Sequence, residues 1–357
     1  MKPTVWHLCS NRWNSAITEY ALRSAQSLHR RGWSSLLSAL PASPCALRAS
    51  ELGVAGATFQ FKLSEVFALR REAKRLKPSI IVTYGGPETF LSRFLGVPVV
   101  RFRGQDSDLS RPLSPFGLGL SLRFCKGIIT PAKRVSDLFR AALPKKSVHS
   151  IVLGLDAAVF HSRPRKDADR PRLLIVGRLD PIKGHEKFLK LFYETLIEWD
   201  NPRPKPFLEI IGQSANITSA ALRATAKTIG LIEGVDWGLV DARVPNLPSR
   251  MASAALGIIP SLGSEVICRV AEEFLLSGTA VLVAPVGSLS ECLIDPEFGA
   301  VFPDDEEKQR KLLKTWSIRA FEETQNVRDE RSAKARDYFS LDSMGRDLEA
   351  YLQGFLT

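Results

Sequence analysis

Two glutamates, Glu265 and Glu273, stand eight positions apart in PSLGSEVICRVAEEFLLSG (Pro260 to Gly278) and bracket a helix start expected near Val266. At 3.6 residues per turn this spacing leaves them about 80° apart, near one face, with Glu272 competing as the outward member of the pair. The turn before them, Ser261, Gly263 and Ser264, is small and polar. Backbone N–H groups at a helix start favour anionic or hydroxyl-rich ligands, and a carboxylate at that mouth, Glu265, can accept a pair of sugar hydroxyls. A second constellation, GRLDPIKG from Gly177 to Gly184, puts Arg178 and Lys183 just after an apolar strand. Two cations there can neutralise a diphosphate and the charge that grows as it departs. A capping carboxylate and a solvated turn are the plain alternatives for the two sites.

In the first half, RFRGQD (Arg101 to Asp106) follows the strand VPVV. Asp106 is placed to orient an acceptor hydroxyl and Arg103 to hold an anionic acceptor or a leaving phosphate, with a surface loop of like composition as the alternative. His7 reads as a packed core residue, and the other histidines have no Ser or Cys companion that suggests a triad. The first strand runs into HLCSNRWNSAI, not GxGxxG, and no GxxxxGK[ST] occurs. That speaks against nicotinamide, flavin and P-loop chemistry. No acidic cluster with metal-ligand spacing stands out, so the leaving group is expected to be assisted by cationic side chains without a metal or other cofactor.

These residues need strands to hold them. Thr4 to Leu8, Ser34 to Ala39, Ser79 to Thr83, Val97 to Phe102 and Gly127 to Thr130 read as strands, with helices at Ala16 to Arg30 and Leu63 to Leu76. After a polar, proline-punctuated stretch from His161 to Arg172 the pattern restarts. Strands are expected at Leu173 to Val176, Leu208 to Ile211, near Gly238, at Leu256 to Ile259 and at Ala280 to Ala284, with a helix from Arg269 to Leu276 that ends at Ser277-Gly278. Strand, helix, strand at this spacing implies parallel sheets, whose ligands collect beyond the carboxyl ends of the strands. Asn11 to Asn14, Gly85-Gly86, Arg103 to Asp106, Gly177 to Lys183 and Ser261 to Glu265 all fall there.

At 357 residues, 45% hydrophobic and 24% charged, the chain is an ordinary globular one long enough for two cores. Its opening, MKPTVWHLCSNRW, lacks the apolar core of a signal peptide, and no apolar run approaches bilayer length. Five scattered cysteines without CxxC spacing fit a reducing compartment, which implies a cytoplasmic protein. The charge is lopsided: residues 1–160 hold 23 Lys/Arg against 9 Asp/Glu, a net of +14, while the whole chain carries +11. RREAKRLK (Arg70 to Lys77) is the densest cluster. Such a domain attracts anionic surfaces. A membrane surface and a plain solvated charge face with no specific partner are the two leading readings, in that order, and nucleic acid comes third because aromatics are not interleaved with the basic blocks.

The paired motifs resemble those of GT-B glycosyltransferases of family 4, the retaining group. The likeness lies in GRLDPIKG, in PSLGSE with Glu273, in SGTAVLVAPVG with Glu291, and in IVLGLDAAVF (Ile151 to Phe160) at the close of the first domain. The resemblance implies an α/β fold of two Rossmann-like parallel-sheet domains facing a central cleft. Residues 1–162 would form the acceptor side, 170–335 the donor-binding domain, and 336–357 a helix returning to the first domain. It also implies transfer of a sugar from a nucleoside diphosphate, UDP or GDP, to a hydroxyl acceptor such as a lipid-linked or cell-envelope glycan, at the inner face of the plasma membrane. Arg178 and Lys183 would contact the diphosphate, Glu265 the sugar hydroxyls and Glu273 the ribose, with backbone amides of Val266, Ile267 and Cys268 along the sugar. Asn14-Ser15 replaces the glycine pair expected after the first strand, Cys268 a glycine, and RFRGQD the acceptor-domain histidine. A non-catalytic binding protein of the same fold is the alternative.

Overall fold

The computed structural model describes residues 3–104, 122, 124–164, 169–263 and 265–356. The chain forms two compact units, Met1–Leu155 with Tyr338–Thr357, and Asp156–Asp337. Each is built on a six-stranded sheet whose strands are all parallel.

In the first unit β1 (Thr4–Cys9), β2 (Ser34–Ala39), β3 (Ile80–Thr83), β4 (Val99–Phe102), β5 (Gly127–Thr130) and β6 (Ser147–Ser150) lie in the order β2-β1-β3-β4-β5-β6. Helices cover both faces, so β3, β4 and β5 are buried at every position, as a parallel sheet requires. His7 is a core residue as expected: it is fully buried and Nδ1 lies 2.9 Å from the Tyr84 hydroxyl. The helix Leu341–Gln353 belongs to this unit and packs against the helix Ala16–Arg30. Glu349 accepts from Arg31 at 2.6 Å and from the Trp33 indole at 3.0 Å. The Tyr351 hydroxyl donates to the Ser147 carbonyl at 2.8 Å.

In the second unit β7 (Arg172–Val176), β8 (Phe207–Ile211), β9 (Trp237–Val240), β10 (Leu256–Ile259), β11 (Ala280–Val283) and β12 (Gly299–Val301) lie in the order β12-β11-β10-β7-β8-β9. The core includes Leu173, Ile175, Leu208, Ile258 and Leu282 from the strands, with Phe188 and Phe192 from the helix His185–Ile197. Two buried arginines on the helix Gln325–Phe339 close the amino ends of β10 and β11. Arg328 donates to Thr279 Oγ1 at 2.9 Å, and Arg331 to the Gly278 carbonyl at 2.8 Å while it also pairs with Glu323.

The helix after β10 has the bounds Arg269–Leu276 that its apolar run suggested, so its start is not near Val266. The cause is local: the Glu265 carbonyl, which would accept the first helical bond, accepts instead from the Ser288 N–H at 2.7 Å. Val266 to Cys268 are thereby held outside the helix.

Candidate active site

Each sheet reverses its direction of growth once. The second chain segment starts at β7, adds β8 and β9 on one side, then returns to place β10 on the other. At such a switch point the loops at the carboxyl ends diverge and leave a crevice. The loops after β7 and β10 are the two that carry Arg178, Lys183 and Glu265.

They are joined tightly. Leu262 N–H donates to the Ile182 carbonyl at 2.7 Å. Gly184 has φ +72°, and a Cβ there would run into the Pro260 carbonyl, so only glycine allows this approach. The turn before it is held by Asp180, whose carboxylate accepts from Ile182 N–H at 3.1 Å and from the Asn216 amide at 2.8 Å. The loop after β11 closes the third side. Gly287, at φ +60°, lies against the Glu265 backbone, which Ser288 also holds.

Within this frame the Lys183 ammonium is ion-paired with the Glu265 carboxylate. The same oxygen, Oε1, accepts from Ser261 Oγ at 2.6 Å. Glu265 and Ser261 are buried and Lys183 is half-buried. Arg178 is on the same loop but exposed, and its guanidinium is not paired with Glu265 among the described residues. Its backbone carbonyl accepts from His185 Nε2 at 2.9 Å. That bond fixes the tautomer, and burial lowers the His185 pKa, so the ring is neutral and ties the loop to the following helix.

Glu273 is buried and accepts from Arg269 Nε at 2.7 Å, one helical turn earlier. Glu272 does not point outward as expected. It is 4% exposed, because the helix Arg269–Leu276 is buried on all sides from Ala271 onward. Glu272 Oε2 has no hydrogen-bond partner among the described residues. Burial and then the neighbouring Glu273 push its pKa up to about 8, against a smaller opposing pull from Arg269. Val266 and Ile267 are partly exposed and Cys268 is buried, with burial and nearby carboxylates raising its thiol pKa far above the ordinary range. A thiol so placed is inert. No cluster of three or more His, Cys, Asp or Glu positioned to hold a metal occurs among the described residues.

The candidates in the first unit are spread along the carboxyl edge of its sheet. Asn14 is exposed after β1, and Arg103 is buried after β4, with its guanidinium 5.9 Å from the Phe139 ring. Asp106, like Ser264 in the second unit, lies outside the described residues. Sequence reasoning missed Glu88, which stands at this sheet's own switch point between β1 and β3. It is fully buried, and Oε1 accepts from Ser10 N–H at 3.0 Å. A signal was present, an acidic residue in the first turn after Gly85-Gly86-Pro87, but it reads equally as an ordinary helix start.

A model of the family described as glycosyl transferases group 1 matches residues 157–337. The lipopolysaccharide 1,2-N-acetylglucosaminetransferase of Salmonella typhimurium is 27% identical over 181 residues, which cover 47% of this chain and 46% of that protein. The chain thus spans about half the length of this curated relative. Anabaena HepE, solved in complex with UDP, is 15% identical, with a TM-score of 0.78 over 98% of this chain and 100% of that one. A glycosyltransferase from Rickettsia africae is 10% identical, with a TM-score of 0.76 over 100% and 99%. At these identities the likeness to solved structures establishes the fold, which is the α/β GT-B fold with its two parallel-sheet domains.

Proposed function

On the premise that the chain belongs to the glycosyl transferases group 1, we propose that it moves a sugar from a nucleoside diphosphate donor to a hydroxyl acceptor, with the anomeric configuration retained. The observation that carries this is the joining of Lys183, Glu265 and Ser261 at the switch point of the second sheet. A buried carboxylate there is suited to the donor's hydroxyls. The ammonium beside it is suited to exchanging that carboxylate for a phosphate oxygen, while the exposed Arg178 supplies a second positive charge to the same loop. Glu273, oriented by Arg269, is assigned to the ribose.

No nucleophile stands out at this site among the described residues, and the departing phosphate oxygen is assigned the acceptor's proton as the new glycosidic bond forms on the same face. Lys183 and Arg178 stabilise the charge left on the diphosphate. No metal is assigned a role. A uridine donor is supported by the UDP held by Anabaena HepE, with a guanosine donor as the other candidate. A cell-envelope glycan acceptor, lipid-linked and met at an anionic inner-membrane surface, is supported by the activity named for the Salmonella relative and by the basic first unit. Asn14, Arg103 and Asp106 are assigned to its side.

The same fold without turnover is the competing reading, favoured by Cys268 in the place of a glycine. Release of free nucleoside diphosphate from a panel of UDP-, GDP- and ADP-sugars separates the two. Turnover on one of them is expected, whereas binding without release from any, also with added envelope glycolipid extract, rejects the transferase.

A further inference from the structure

We propose that one face of the first unit, centred on the helix Val66–Leu76, is a docking surface for a bilayer rich in anionic headgroups. This deepens the membrane-surface part of the functional proposal, on which it rests, and it is independent of which sugar is transferred.

The helix buries little of itself. Leu69 and Ala73 face the core, while Phe67 is 78% exposed and Leu63, one turn earlier, 67% exposed. Residues four apart on a helix stand in a row, so Phe67 and Arg71 are aligned with Arg70 and Lys74 beside them, while Leu63 is exposed on the short 3-10 turn Leu63–Glu65 that leads into the helix. The basic segment is therefore not a plain solvated face, because Phe67 shares the face of the cations and a second large apolar side chain, Leu63, is exposed just before it.

A second element extends this face. The Arg93 guanidinium lies 5.0 Å from the Phe90 ring, 4.7 Å from Phe94 and 4.9 Å from Phe124, and Phe90 and Phe124 are exposed. Arg70 Nε donates to the Phe94 carbonyl at 2.9 Å, which joins the helix to this aromatic group in one continuous surface. The nearby carboxylates are already engaged. Glu72 pairs with Arg75 on the flank, and Glu65 accepts from the Lys62 N–H. No carboxylate pairs with Arg70, Arg71, Lys74, Lys77 or Arg93 among the described residues.

Cations in a band with phenyl and leucyl groups at one end match the two layers of a bilayer interface. Headgroup phosphates meet the charges, and the upper acyl region takes the apolar groups. A nucleic acid satisfies the charges but leaves Leu63 and Phe67 in water. The helix is 11 residues long, so it lies in the interface and does not cross it.

The test is co-sedimentation of the full chain with vesicles of phosphatidylcholine alone, or of equimolar phosphatidylcholine and phosphatidylglycerol, without any nucleotide sugar. The wild type is expected to pellet with the anionic vesicles only, and less as salt rises. The triple variant Arg70→Gln/Arg71→Gln/Lys74→Gln should lower partitioning about a hundredfold. Leu63→Ser/Phe67→Ser should lower it about tenfold while keeping the salt dependence. A control of equal charge loss in the second unit, Lys187→Gln/Lys205→Gln/Lys227→Gln, should lower it less than about threefold. All these side chains are exposed, so unchanged thermal unfolding is expected to confirm that the variants fold. Absence of wild-type binding, equal binding to both vesicles, or an equal loss in the control overturns the proposal. None of those results bears on the transferase, which nucleoside diphosphate release, measured without vesicles, tests separately.

Discussion

Lys183 crosses from one loop to the carboxylate of another, so its removal takes away the partner of Glu265 together with the charge proposed for the diphosphate. Lys183→Ala is expected to lower turnover by at least about tenfold, and an unchanged rate removes Lys183 from the diphosphate site. Glu272 makes a different prediction. Its pKa is about 8 in the folded chain against an ordinary value of 4.5, so folding favours the protonated form. The native state then binds the extra proton between those two values, and stability falls as pH rises through that window. Glu272→Gln, which cannot ionise, should be indistinguishable from wild type near pH 4. By pH 8 it should be more stable, by an amount on the order of 4 kcal/mol. Urea midpoints of the two proteins across that range check this, and parallel curves show that Glu272 is not the titrating group. The identities of Lys183 and Glu265 were legible because charge type and position after a strand suffice to propose them. The burial of Glu272 was not, since helical spacing alone presumes one solvated face and this helix has none.

Loops and helices do the positioning, and glycine decides how closely they meet. Gly184→Ala forces a side chain into a left-handed conformation and against the Pro260 carbonyl. It is expected to cost at least about 2 kcal/mol in denaturant stability and to reduce turnover by separating Lys183 from Glu265. Wild-type values for both remove this approach from the site's support. At the opposite end of the sheet, Arg331→Ala leaves buried Glu323 without its main partner and strands the Gly278 carbonyl. A loss of about 3–5 kcal/mol is expected by the same measurement, and a loss within error makes the pair dispensable. Of the twelve strands among the described residues, ten carry apolar or near-apolar runs that periodicity finds. β6, SVHS, is polar and little buried, and β12, GAV, is three residues long, too short for a period to show. The helix bounds Arg269 to Leu276 were legible in the sequence, whereas the bond that keeps Val266 to Cys268 out of that helix comes from Ser288, a residue remote in sequence.

For the molecule as a whole, the chain enters the second unit at Asp156 and leaves it at Asp337, so the first unit is made of two pieces. Leu341, Met344, Leu348 and Leu352 of the returning helix are buried in that unit. At about 1.5–3 kcal/mol for each such side chain, their loss rivals the whole margin of a typical domain. A chain ending at residue 340 should therefore lose protease resistance across residues 3–104 while residues 170–330 stay protected, and equal protection of both regions shows the helix to be an accessory. The GT-B class and the return of the terminal helix could be expected from the paired motifs, whereas the aromatic group around Arg93 depends on contacts that no linear pattern records. Discontinuity also sets an order of events on the ribosome. The helix Ala16–Arg30 emerges early, but residues 341–353 follow only after the entire intervening unit has been synthesised. At ordinary elongation rates that leaves an apolar flank waiting for roughly fifteen to sixty seconds, so the later-coded half completes its core first and the nascent amino-terminal half is the one that needs shelter.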